Sequence, residues 1–236
     1  MSKQCFLNIL VFLMEASMKP DYDRAAEAAT RTLLMRKISS APVFPLPVLK
    51  NIPGVLVVSF AEASQHIGID RSQLVTMFGS EHQDAVTVHY PDNPGLQYIV
   101  TYNQQLPLYM LQRALARQLG HIILGHDGSR PDDVREAEAA AFAYHFLCPR
   151  PLIRAVQDAG IRVTAEVVGN LTGCYERCLS GMRSMPGAAV PSELNRALRA
   201  QFSDYLDNFI NYQKIIASED HSSLADFGTY FDNYED

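Results

Sequence analysis

The chain has 236 residues, 47% of them hydrophobic and 19% charged, with a net charge of −6 and a sequence pI near 5.6. That length holds one domain with appendages or two small domains. An acidic chain without a basic block excludes a wholesale nucleic-acid-binding surface, and four scattered cysteines exclude a secreted disulfide framework.

Residues 1–17 open with an apolar run at 5–14 that is too short to span a bilayer, followed by a poor signal-cleavage sequence. This stretch is read as a separate apolar segment of a cytoplasmic protein with no membrane span. A helix docked on the body and a translation start at Met18 are the competing readings. Residues 21–37 pattern as an amphipathic helix with an acidic start. The proline-rich segment 39–53 reads as a connection with room for one helical turn, and the β-branched run 55–60 as a strand. Asp70 is placed to cap a short helix through Met77.

Residues 85–90 and 96–102 alternate in polarity and are joined by a turn-rich Pro91-Asp92-Asn93-Pro94-Gly95, which predicts a hairpin. The period then changes. Leu108, Leu111, Leu115, Leu119 and Ile122 recur at helical steps, predicting a helix that stops near Gly125. A second helix is expected over 132–147, stopped by Cys148-Pro149. Further helices are predicted over 151–159, 164–169 and 172–185, with one long helix over 191–217. Cys174 and Cys178 lie one turn apart and read as packing residues. Residues 218–236 form an acidic, aromatic tail without lysine or arginine.

The chemistry concentrates in Ala114-Leu-Ala-Arg-Gln-Leu-Gly-His-Ile-Ile-Leu-Gly-His126, after a strand ending Tyr102-Asn103. Glu136-Ala-Glu-Ala-Ala-Ala-Phe-Ala-Tyr-His-Phe-Leu-Cys-Pro149 follows it. This ordered set resembles the ImmA/IrrE family of zincin-type metallopeptidases. That family reads as a Tyr-Asn strand, a helix with Leu-Ala-His-Glu-Leu-Gly-His and a nearby Leu-Gly-His, then Glu-Ala-x-x-Phe-Ala. The resemblance implies an α+β fold: a small, mainly antiparallel sheet over the helix holding Arg117 to His121, forming a zincin-like domain over 18–150. An all-helical region over 151–217 and the tail follow.

His-Glu-x-x-His puts two imidazoles on one helix face, where they bind one Zn²⁺ while the glutamate activates metal-bound water. A third ligand comes from the next helix. Carried onto this chain, the second histidine is His121 and the third ligand falls on Glu138. The first histidine position is Arg117, and the general-base position is Gln118. An amide accepts no proton at neutral pH, and a guanidinium offers no lone pair and repels a cation. The expectation is therefore a pseudo-enzyme with no cofactor, in which Arg117 takes the metal position and pairs with Glu138.

The other residues have plainer readings. His121 can be a hydrogen-bonded core histidine, His126 a helix-end residue, and His82 and His89 surface residues. His145 lies seven residues after Glu138, roughly 10 Å along the axis, too far to share a metal with it.

The leading function is recognition of a protein or peptide without cleavage, by strand addition at an exposed sheet edge. The resemblance implies a transcriptional repressor as partner and a prophage or mobile-element setting. The alternative is a metallo-endopeptidase using zinc on His121 and Glu138, with His126 or His145. A purely structural, oligomer-forming protein is the third reading. Residues 164–185 outline a helix-turn-helix, but Glu176 beside Arg177 on an acidic protein argues against nucleic-acid binding.

Overall fold

The structure is a computed structural model that describes residues 19–67, 84–93, 95–174 and 187–219. Helix α1 (Tyr22–Met35) starts where Asp21 accepts the Arg24 N–H at 2.9 Å. It buries Ala25, Ala26, Ala29 and Leu33 completely. The short helix α2 (Pro45–Lys50) is the turn expected in the proline-rich connection.

Strand β1 (Val55–Ser59) runs directly into α3 (Phe60–Ile67). The Ser59 amide donates to Glu62, and the Glu62 amide donates back to the Ser59 hydroxyl, a reciprocal cap readable in Ser-x-x-Glu. The helix expected over 70–77 lies outside the described residues. The hairpin is present as β2 (Ala85–His89) and β3 (Tyr98–Tyr102). Strand order is β1-β3-β2, with β3 parallel to β1 and antiparallel to β2. Among the described residues the small sheet thus has one antiparallel and one parallel pairing, within the α+β fold expected. The connection from β1 returns through α3, which brings the first strand alongside the last one pointing the same way.

Two helices carry the site, α4 (Leu108–Leu124) and α5 (Asp132–Leu147). They approach closely at Gly120, where a β-carbon would sit 3.1 Å from the Ala139 carbonyl and 3.1 Å from Phe142. Gly125 ends α4 in the left-handed conformation at φ 66°, and the His126 amide donates to the His121 carbonyl. That reversal turns His126 back toward the helix it has just left. Helix α5 is buried around most of its girth, including Phe142, Phe146 and Glu138.

The remaining helices are α6 (Arg150–Asp158), α7 (Ala165–Thr172), α8 (Ser192–Gln201) and α9 (Ser203–Glu219). One continuous apolar core runs from α1 to Leu152, Leu198, Phe202 and Leu206. The single long helix expected over 191–217 is in fact α8 and α9, divided at Phe202. That side chain is fully buried, while Gln201 donates to the Leu33 and Ile38 carbonyls. Cys148 and Cys174 are both buried, and the Cys174 thiol donates to the Leu147 carbonyl at 3.6 Å. Cys178 and most of the helix expected over 172–185 lie outside the described residues.

Candidate functional site

A cleft of about 590 Å³ lies between the edge strand β2 and helices α4 and α5, with Thr87, His89, Arg117, Gln118, His121 and Glu136 on its walls. Its position follows from the fold. Gln118 sits on the sheet-facing side of α4 and is only 6% exposed. Its amide nitrogen donates to the Ala85 carbonyl at 3.2 Å, and its oxygen accepts the Thr87 hydroxyl at 2.9 Å. Both ends of the residue at the general-base position are therefore occupied in fastening α4 to β2.

Arg117 and His121 point one turn apart into the cleft. The partner they meet there is Glu136 and not Glu138. The Arg117 guanidinium donates to Glu136 Oε2, and His121 Nε2 is 3.2 Å from Glu136 Oε1. The expected Arg117–Glu138 pair does not form. Residues two apart on a helix are turned by about 200°, so only one of the two glutamates can face α4. Burial pushes the Glu136 carboxyl up. The His121 hydrogen bond and the Arg117 charge outweigh that and hold it at about 2.

Glu138 faces the other way and is wholly buried. It accepts the Asp21 amide at 2.7 Å, Arg130 at 2.5 Å and His126 Nε2 at 3.0 Å. Burial opposes its ionisation, and these three donors together still hold its pKa below the ordinary value. His126, expected as a plain helix-end residue, instead bridges the two clusters. Its Nδ1 is 2.9 Å from His121 Nδ1, and the rings meet edge-on.

Burial lowers the His126 pKa against the pull of its Glu138 hydrogen bond. The side chains form a row: Arg117 and His121 on Glu136, then His126, then Glu138 with Arg130.

Sequence reasoning missed Glu136 and Arg130, and weighed His126 only as a helix-end residue or an optional ligand. The only signal for Glu136 was its repetition two residues before Glu138. His89 was expected on the surface; it is half-buried, stacked on Tyr98 at 4.7 Å, and lines the cleft. His145 lies in a different cleft, and His82 is outside the described residues.

A zinc ion fits this donor set poorly. His121 Nε2 and Glu136 Oε1 have a separation suited to two ligands of one ion, since two bonds of about 2.0–2.1 Å at a tetrahedral angle span roughly 3.3 Å. The third position is a guanidinium already bonded to that glutamate. His121 and Glu138 do not face a common point, because His126 stands between them. Among the described residues, no three His, Cys, Asp or Glu side chains are grouped to hold a metal.

Comparison with protein families matches residues 70–171 to the IrrE N-terminal-like domain. This segment is an ImmA/IrrE-family metallopeptidase-like domain. It contains β2, β3, α4 and α5, and so every group of the cleft just described. Neither the curated proteins nor the solved structures gave a match. Relatives of this domain typically depend on zinc, which makes the cation at position 117 the feature to explain. No described helix is long and apolar enough to cross a membrane.

Proposed function

We propose that this ImmA/IrrE-like domain binds an extended protein segment in its cleft and does not cleave it. The observation that carries the reading is the Arg117–Glu136–His121 cluster. A permanent cation neutralises the carboxylate that would otherwise serve a metal, and the amide of Gln118 has no basic lone pair with which to activate water.

The β2 edge supplies the means of binding. The Asp84–Asn103 and Tyr90–Gln97 backbone bonds set the pairing, so Ala85, Thr87 and His89 turn their N–H and C=O groups away from β3. Gln118 takes the Ala85 carbonyl, and the Thr87 and His89 groups face the cleft, where a peptide strand can add.

In this reading the protein is a cytoplasmic regulator, and its partner is a protein such as a transcriptional repressor of the same mobile element. The test is incubation of the full chain with candidate repressor proteins, scoring complex formation and partner integrity. A stable complex with an intact partner, lost on Thr87→Pro, supports the reading. Chelator-sensitive cleavage overturns it.

A further inference from the structure

Outside the peptidase-like cleft, a second cavity of about 270 Å³ opens where α5, α6 and α8 meet. Arg150, Arg154, Arg196, Arg199 and His145 lie on its walls. This is an unusual concentration of cations on a chain of net charge −6. Asp158 divides its two oxygens between Arg154 at 3.2 Å and Arg199 at 2.8 Å. One carboxylate shared by two guanidiniums leaves positive charge over.

His145 strengthens the case independently. It is 8% exposed, borders this cavity, and no hydrogen bond to its ring nitrogens is present among the described residues. Buried imidazoles are ordinarily hydrogen-bonded. Burial lowers its pKa to about 4, with Arg150 adding to the shift and Asp23 opposing it. An anion in the cavity would give its ring N–H an acceptor.

We propose that this cavity is a binding site for a small phosphate monoester, with Arg154, Arg196 and Arg199 gripping the phosphoryl oxygens and His145 donating from the floor. Guanidiniums from two helices line the cavity, which suits a dianion with three terminal oxygens better than a planar carboxylate. At about 30 Å³ per water-sized volume, the space holds a phosphoryl group and a few further atoms but not a dinucleotide. Pro149, Pro151 and Val190 give the rest of the ligand an apolar wall.

The experiment is calorimetric titration of the full-length protein with inorganic phosphate and with a phosphomonoester, at constant ionic strength, alongside NMR of the histidine rings. Saturable one-site binding that shifts the His145 ring signals is expected. Arg196→Ala, on an exposed residue of α8, should weaken binding about ten-fold. Asp158→Asn removes the competing carboxylate and should tighten it. Non-saturable heats, unmoved His145 signals, or equal affinity in both variants overturn the proposal. So does duplex DNA that binds through Arg196 and is not displaced by phosphate.

Discussion

Replacing Arg117 by histidine should give the cleft the zinc affinity that the native chain lacks. His121 Nε2 and Glu136 Oε1 already stand 3.2 Å apart, close to the roughly 3.3 Å expected of two ligands on one tetrahedral ion. The obstacle is the guanidinium hydrogen-bonded to the same carboxylate. A zinc ion bound there would lie about 4 Å from it. A +1 and a +2 charge at that distance repel by about 8 kcal/mol at an effective dielectric of ~20 and by about 2 kcal/mol in bulk water. Arg117 and Glu136 are 25% and 36% exposed, so the penalty falls between those limits. Even the lower limit is roughly a thirty-fold loss of affinity. Arg117→Ala removes the repulsion only, whereas Arg117→His also supplies the third ligand.

Zinc affinity should therefore rise from wild type to Arg117→Ala to Arg117→His, the last by about a hundred-fold or more over wild type. Equilibrium dialysis with elemental analysis measures this directly. With free zinc at ~100 times the dissociation constant, linkage adds about 2.7 kcal/mol of stability, a rise of roughly 5–10 °C in Tm for a chain of this size. Adding Glu136→Ala should abolish the gain, and adding Glu138→Gln should leave it. A folded Arg117→His protein with wild-type zinc affinity, or one that keeps zinc after Glu136→Ala, refutes the reasoning.

Gln118→Glu should destabilise the protein by about 1–3 kcal/mol near pH 7, because a carboxylate oxygen replaces the donor that meets the Ala85 carbonyl. The deficit should narrow as pH falls, since protonation restores a donor; urea unfolding at several pH values checks both. Glu138→Gln should cost about 2–4 kcal/mol in the same assay. That is somewhat under the penalty for breaking a fully buried pair, because Arg130 keeps 21% exposure. His145 has a folded-state pKa of about 4 against 6.5 for the free side chain, so the unfolded chain takes up its proton first. Its contribution is present above pH 6.5 and is lost as pH falls toward 4, about 3 kcal/mol in all. In phosphate-free buffer, His145→Gln should flatten stability across that window, and an unchanged slope would reject the assignment.

Much of the fold was legible because its signals are local. Asp21, Gly125 and Cys148-Pro149 mark helix ends through capping and backbone chemistry, and the alternation at 85–90 and 96–102 marks the hairpin. The parallel partner of β3 was not legible, since pairing between residues 55–59 and 98–102 has no local signature. Nor was the break at Phe202, which depends on where the core lies. At the site, the helical period placed Arg117, Gln118 and His121 together on α4. It could not choose between Glu136 and Glu138, because that choice rests on how α5 is rotated against α4. His126 was undervalued for a related reason: the left-handed turn at Gly125 returns it to His121, a contact invisible to one-dimensional spacing.

The account rests on a guanidinium standing where relatives of this domain would hold a metal ion. Crystals of the wild-type protein grown with zinc and measured at the zinc absorption edge test that most directly. The account predicts Arg117 density on Glu136 and no anomalous peak between His121 and Glu136. A peak about 2.0–2.1 Å from His121 Nε2, with Arg117 swung away, would contradict it.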